Sequence, residues 1–515
     1  MSDAWSWWLL MFKTSDFAYA ITVTATVLLV ISLIILISTK TKKISPPLPP
    51  GPKSLPLVGN LLSLDPDLHI YFTTLGKTYG PIVTLWLGHK VGIVINSPVL
   101  ASEVLKHQDT IFANRDVPAA ANEVYGGKDI VWTPYGPKWR MLRRVSVIEM
   151  LSKSTLDSFH ELRRREIRQT MGYFYSRVGL PVDIGEQMFL TTMNVVTSMM
   201  WGGTVKGHDR ARLGTELRLV VNGMIQLLGM PNISDFYPGL ARFDLQGVRK
   251  KMKVLAKQFD DIFETAIKRR QEMKAQEGSK DFLQFLLKLK DDQEAKMPLT
   301  MTELKALLMD MVTGGTDTTS NSLEFALAEM MNKPQIIQKV QEELDIVVGR
   351  NNMVEESQLP KLPYLYAVMK EVLRLHPILP LLVPHCPSET CVVGGYTVPK
   401  GSRVFINVWS IHRDPSIWEK PLEFIPERFL DGQWDYSGKD FKYFPFGSGR
   451  RICAGIAMAE NMFLFSLASL LHSFDWKLPE GQKLDLSERF GIVLKKKVPL
   501  VLIPTPRLSN PELYQ

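Results

Sequence analysis

The feature that most constrains this chain is a cysteine set between a glycine-rich loop and an apolar helix. Phe444-Pro445-Phe446-Gly447-Ser448-Gly449-Arg450-Arg451-Ile452-Cys453-Ala454-Gly455 runs directly into a helix-forming stretch, Ile456 to Leu471. A cysteine just before a helix lies at the positive end of its dipole, near unpaired N–H groups, and both favour the metal-binding thiolate. Gly447, Gly449 and Gly455 permit tight turns and close approach to a flat ligand, Phe446 can cover the sulfur, and Arg451 can pair with a carboxylate. Alone, such a cysteine is more often a small buried hydrophobe and Gly-Ser-Gly-Arg-Arg a plain loop. Other stretches must decide.

Three do. Thr300 and Glu303 form a capping box, and Leu304, Leu307, Leu308 and Met311 follow at helical spacing. That helix should then be disturbed by Gly314-Gly315-Thr316-Asp317-Thr318-Thr319, because glycine costs about 1 kcal/mol against alanine in a helix interior. Two glycines let a ligand approach the backbone, and hydroxyls can take up freed carbonyls; a capped kink explains the segment equally well. Glu371 and Arg374 share one face of a helix ending before Pro377, flanked by Val368, Val372 and Leu375, with Pro426-Glu427-Arg428-Phe429 downstream. Trp139 and Arg143 stand at i and i+4, which by itself suggests a packing pair.

Phe446, Gly449, Arg451, Cys453 and Gly455 match the cysteine loop of the haem-thiolate monooxygenases, the cytochromes P450, and the chain resembles that family from its proline-rich stretch to about Pro506. The resemblance implies a mainly α fold with a small β-sheet region, heme b ligated by Cys453, and electrons from NADPH through a separate reductase. It implies propionate contacts from Trp139, Arg143 and Arg451, with His385 where plant members commonly carry arginine. It assigns Gly314, Asp317 and Thr318 to the oxygen-activation motif, Thr318 bonding dioxygen and Asp317 feeding protons. Glu371, Arg374 and Arg428 become a buried structural network. Substrate-facing positions follow: the loop Ala119 to Val131, Thr313, Gly314, Ile378, Leu379, Leu382, and Phe490 to Ile492. Their apolar character suits a hydrophobic small molecule. The cysteine-loop surroundings resemble a plant subgroup containing sesquiterpene hydroxylases, so a terpenoid is the first expectation and a flavonoid or phenylpropanoid the alternative. A haem-thiolate lyase or isomerase, needing no reductase, is the reading of another class.

The whole sequence is compatible with this. Its 515 residues carry a formal charge of +8 without a nucleic-acid motif, so the basic excess suits a membrane surface or an acidic partner. Three cysteines are too few for a secreted disulfide scaffold, and Cys386 and Cys391 beside His385 lack the second pair that zinc needs. No charge interrupts the chain between Asp16 and Lys40, which predicts a single transmembrane signal-anchor over 17–39, with Lys40, Lys42 and Lys43 cytosolic. The domain plan is therefore a lumenal segment 1–16, the anchor, a basic and proline-rich hinge 40–59, the catalytic domain 60–506 and a tail 507–515, in the endoplasmic reticulum membrane. Lys138, Arg140, Arg144, Lys439, Lys442 and Arg450 are candidates for a reductase-docking face.

Overall fold

Apolar residues at helical spacing dominate the chain after its first hairpin, and their burial fixes the architecture. The computed structural model describes residues 23–28, 30, 46–202, 208–272, 281–292, 294 and 296–514. Its principal helices are α1 (Leu68–Tyr79), α2 (Pro137–Glu149), α3 (His160–Ser176), α4 (Ile184–Trp201), α5 (His208–Gly229), α6 (Val248–Glu272), α7 (Met301–Asn332), α8 (Pro363–Leu375) and α9 (Ile456–Ser473). The central one is α7. Its capping box forms as expected, with Glu303 N–H on Thr300 Oγ1 and Thr300 N–H on Glu303 Oε2. Leu304, Leu307 and Leu308 are fully buried, and α7 lies against α4, where a side chain at Gly315 would stand 3.0 Å from Val196 Cγ2.

The strands are few and short. β1 (Ile82–Leu87) pairs antiparallel with β2 (Lys90–Ile95), the expected hairpin, and β2 pairs in parallel with β6 (Arg403–Ile406). β3 (Val182–Asp183) and β7 (Phe474–Lys477) flank β10 (Val501–Pro506). β4 (Cys391–Val393) pairs with β5 (Tyr396–Val398), and β8 (Glu488–Arg489) with β9 (Lys495–Lys496).

The predicted segments at the chain ends divide. Of the anchor 17–39, residues 23–28 and 30 are helical and exposed; its remainder, the segment 1–16 and residues 40–45 lie outside the described residues. The described part of the proline-rich stretch rests on the domain, Thr84 N–H donating to Pro50 O at 2.9 Å and Thr397 N–H to Pro47 O at 2.9 Å. The tail docks as well, since Tyr514 donates to Ser473 O at 2.6 Å. Among the described residues one helix, α9, is long and apolar enough to cross a membrane, yet most of it is buried as the core helix behind Cys453.

Candidate active site

Cys453 sits at the mouth of α9. Its N–H donates to Phe446 O at 3.0 Å, and its sulfur accepts the N–H of Gly455, the N-cap of α9, at 3.3 Å. The loop needs its glycines at particular places. Gly449 has φ +68° and a Cβ there would lie 2.3 Å from Leu105 O, so no side chain fits. Gly455 has an ordinary negative φ, and what its missing Cβ leaves is open space. Phe446 is half-buried, with its ring edge-on to Tyr436 at 5.4 Å.

The thiolate expected from local geometry needs a correction. Burial pushes the Cys453 thiol above its ordinary pKa, and the opposing Gly455 N–H and nearby Arg143 do not outweigh it. The same side chain nonetheless has exposed surface, so its sulfur looks into an internal space and not into packed atoms. Helix placement supplies direction, and a bound cation must supply the deprotonation.

The middle of α7 carries a matching opening. Gly314 is exposed in a helix whose neighbouring residues are mostly buried, with no atom within 4 Å of where its Cβ would be. The helix is not broken there, contrary to expectation. Hydroxyls bond backward along it instead: Thr316 to Val312 O and Thr318 to Gly314 O, both at 2.7 Å. Thr318 is half-buried, and Thr313 Oγ1 is buried without a partner.

Trp139, Arg143 and Arg451 do come together around the Cys453 loop, but not with carboxylates. The Trp139 indole donates to Ile130 O at 3.0 Å, Arg143 to Ile452 O at 2.6 Å, and Arg451 to Ala113 O at 2.6 Å, Ile130 O at 2.9 Å and Thr133 O at 2.6 Å. The Arg451 guanidinium also lies 4.5 Å from the Trp139 ring centre. Burial, then Arg143, draws the Arg451 pKa down to about 10, and burial lowers that of Arg143.

His385 stands at the expected position as a neutral ring. It is buried, paired through its backbone with Val404, and its Nδ1 contacts Phe112 O at 2.9 Å. Burial, then Arg115, holds its pKa well below the usual range, so the ring is neutral. The cation is Arg115, which sequence reading missed. It donates to Val383 O at 2.6 Å and Pro384 O at 3.1 Å, beside His385, and its Nε is buried without a partner. Arg115 stands in Asn114-Arg115-Asp116, a loop with no periodicity to mark it. The donor set fits haem: a sulfur facing open space, two glycine openings, and three partly desolvated guanidinium groups whose combined charge suits two propionates.

The network of Glu371, Arg374 and Arg428 forms as expected. Arg374 grips Glu371 with Nε at 2.7 Å and Nη2 at 2.8 Å, and Arg428 Nε reaches Glu371 Oε1 at 3.3 Å. Arg374 also donates to His412 O and Pro421 O, both at 2.8 Å.

The substrate-facing candidates divide. Phe490 and Ile492 lie in the β8–β9 hairpin and Ile378 beside it, where Leu494 N–H donates to Ile378 O at 2.8 Å. Phe490 stacks on His69, ring centres 5.1 Å apart. Leu379 is half-buried, and Leu382, with φ +52°, leans toward Gly447 of the cysteine loop. The loop Ala119 to Val131 is fastened to α7 by a buried carboxyl pair that sequence reading also missed: Asp310 accepts Ile130 N–H at 2.8 Å, and Asp129 accepts Val131 N–H at 2.9 Å and Trp132 N–H at 2.6 Å. Desolvation raises Asp129 to about 6 and Asp310 well above its ordinary value. Asp317 is held by an ion pair that crosses between distant segments. Its Oδ1 accepts Lys495 Nζ at 2.6 Å, and Oδ2 is buried without a partner.

With this geometry in hand, comparison with known proteins is direct. The cytochrome P450 family model matches residues 49–503. A flavonoid 3′-monooxygenase of Arabidopsis thaliana is 42% identical over 479 residues, 91% of this chain and 93% of the relative. A geraniol 8-hydroxylase of Swertia mussotii is 39% identical over 466 residues, 89% of this chain and 94% of the relative. A zebra fish cytochrome P450 solved with progesterone has a TM-score of 0.73 at 27% identity, covering 85% of this chain and 99% of that one. The chain belongs to the cytochrome P450 family. It is a haem monooxygenase that draws its electrons from NADPH through a reductase.

Proposed function

We propose that this monooxygenase hydroxylates a flavonoid, in place of the sesquiterpene first expected. The observation that carries the reading is the 42% identity to a flavonoid 3′-monooxygenase along 91% of the chain. A terpenoid is the second reading, favoured by the 39% identity to geraniol 8-hydroxylase. The Asp317-Thr318 pair of the oxygen-activation motif argues against a lyase or isomerase.

Haem supplies the oxygen-activating and electron-accepting chemistry when bound. Cys453 ligates its iron, with Phe446, Gly449 and Gly455 shaping the ligand's surroundings. Trp139, Arg143, Arg451 and Arg115 would hold its propionates, with neutral His385 beside them. Gly314 leaves room beside α7, Thr318 Oγ1 holds a hydrogen-bonding hydroxyl there, and Asp317 supplies protons. Thr313, Ile378, Leu379, Leu382, Phe490 and Ile492 exclude water from the substrate and orient it. The catalytic domain is cytosolic on an endoplasmic reticulum anchor. Its reductase meets exposed Arg140, Arg144, Lys439 and Lys442, whereas Lys138 and Arg450 are held by Glu303 at 2.9 Å and Asp109 at 2.6 Å.

The test is product profiling in reductase-containing microsomes with a panel of flavanones, flavones, mono- and sesquiterpenes. Hydroxylated flavonoids support the first reading, and terpene products alone replace it with the second. Cys453→Ser should abolish the red-shifted Soret band of the reduced carbonyl complex; its survival would remove Cys453 as the ligand.

A further inference from the structure

The hairpin that carries Phe490 and Ile492 has only two ladder pairs, Glu488 with Lys496 and Arg489 with Lys495. A two-stranded ribbon that short does not hold its own shape in water, so side-chain anchors must fix where it lies. Its second strand has one in Lys495, which donates to Asp317 Oδ1 at 2.6 Å and to Asn222 Oδ1 at 2.9 Å. On the first strand the anchor is Glu488. Residues two apart on an extended chain point to the same side, so what holds Glu488 also places Phe490. His69 of α1 touches both: its Nε2 lies 3.6 Å from Glu488 Oε2, and its ring stacks on Phe490 with centres 5.1 Å apart. Phe490 borders open space, lining with Phe189 and Ile225 a cavity of about 840 Å³.

Glu488 enters a cluster of charges drawn from distant segments. Its Oε1 accepts from His376 Nδ1 at 2.6 Å and Arg413 Nη2 at 3.3 Å, and its Oε2 accepts the Trp409 indole at 3.1 Å. His376, the residue after α8, turns its other nitrogen to Glu329 Oε1 of α7 at 2.8 Å. An ionised carboxylate only accepts, so a ring with one at each nitrogen carries a proton on both and is an imidazolium. Burial works against that charge, and the Glu329 and Glu488 bonds outweigh it, raising His376 above its ordinary pKa. Phe325 of α7 lies flat on this ring, centres 4.3 Å and planes 5° apart. The Arg413 guanidinium lies 4.0 Å from the Trp409 ring centre. His376, Glu329, Arg413 and Glu488 have side-chain exposures of 6, 7, 8 and 14%. Two buried cations thus face two carboxylates, and each bond strengthens its neighbours in that low dielectric.

We propose that His376 and Glu488 are positioning residues for the substrate wall: the His376 ring, bridging Glu329 of α7 to Glu488 of the hairpin, sets where Phe490 stands and so the size of hydrophobic ligand the site holds well. Without a charged partner at residue 376, Glu488 loses its shortest bond and the first strand loosens. Phe490 then leaves the His69 ring and has to be ordered again each time a ligand binds. This rests on the reading of Phe490 as substrate-facing, and it holds for a flavonoid and a terpenoid alike.

The test titrates purified full-length holoenzyme with two nitrogen ligands of the iron, imidazole and bifonazole, and follows the Soret shift of each. Imidazole is too small to need the hairpin, whereas the biphenyl arm of bifonazole fills the substrate space. Phe490→Ala should weaken bifonazole about tenfold, as loss of a buried aromatic contact does, and leave imidazole within about twofold. His376→Gln and Glu488→Gln should each weaken bifonazole about three- to tenfold, the cost of ordering one side chain on binding, with imidazole within about twofold. The thiolate-type carbonyl spectrum should persist throughout. Glu488→Gln combined with Phe490→Ala should bind bifonazole no more weakly than Phe490→Ala alone, because both act through one ring. Equal losses of the two ligands, multiplying losses in the double variant, or wild-type bifonazole binding in His376→Gln would overturn the positioning role. Wild-type bifonazole binding in Phe490→Ala would overturn the reading beneath it. Should either glutamine variant lose the carbonyl spectrum, Trp409→Phe, which removes only the indole donor to Glu488, carries the same comparisons.

Discussion

Two ion pairs whose carboxylates sit buried on central helices make an instructive contrast. Glu371 and Arg374 lie three residues apart on α8, both with fully buried side chains. Asp317 and Lys495 meet at 2.6 Å across 178 residues. The first pair is saturated: Glu371 also accepts Ile425 N–H at 2.7 Å, and Arg374 has three carbonyl partners besides. The second leaves Asp317 Oδ2 unpaired beside a cavity. A fully satisfied buried pair resists movement, and one with an unpaired buried oxygen carries a desolvation cost that its partner does not offset. Similar charge chemistry is thus fully satisfied in one place and half satisfied in the other.

The contrast can be broken by substitution, beginning where the effect is largest. Glu371→Gln strands Arg374 and Arg428, and should cost roughly 3–5 kcal/mol, the range for breaking one partner of a buried pair. Measured as unfolding free energy and as yield of carbonyl-binding holoenzyme, that loss should exceed the loss from Asp317→Asn. Equal losses would erase the distinction between the two sites.

A smaller effect concerns the Asp129 and Asp310 pair. Asp129 is raised to about 6 by desolvation, so its folded-state pKa exceeds the unfolded value. Such a group adds stability at low pH that is lost as pH rises through its folded pKa. Asp129→Asn keeps an acceptor for the Val131 and Trp132 N–H groups and removes the titration. Its Tm relative to wild type should therefore improve as pH rises from about 5 to 7, in step with that linkage; a pH-independent difference would show that the loop is held by packing alone. Smallest of all is Lys257→Ala, which removes an exposed i,i+4 partner of Asp261 at 3.1 Å. It should change stability by less than about 0.5 kcal/mol, and a larger change would mean that burial does not separate these classes.

Legibility followed separation in sequence. The Cys453 loop, the Thr300 and Glu303 cap, the β1–β2 hairpin and the Glu371 and Arg374 pair were all readable, because their residues interact within about one helical turn or one tight loop. Arg115 was not, because an arginine in an aperiodic loop carries no local sign of being buried. The charge state of His385 was not readable for the same reason: its neutrality comes from burial and from Arg115, 270 residues away in the chain. The helix expected to be disturbed at Gly314 stayed continuous because it is buried in the core, with α4 packed against Gly315.

By itself, then, the sequence determined a cysteine loop before a buried helix, a small hairpin sheet, a local buried ion pair and the family these define, since each is built from near neighbours whose spacing fixes their geometry. Tertiary structure alone decided which face Asp317 takes, that Lys495 meets it, that Arg115 lies beside His385, and that burial opposes the Cys453 thiolate. Those outcomes depend on desolvation and on contacts between distant segments, and both exist only once the helices have packed.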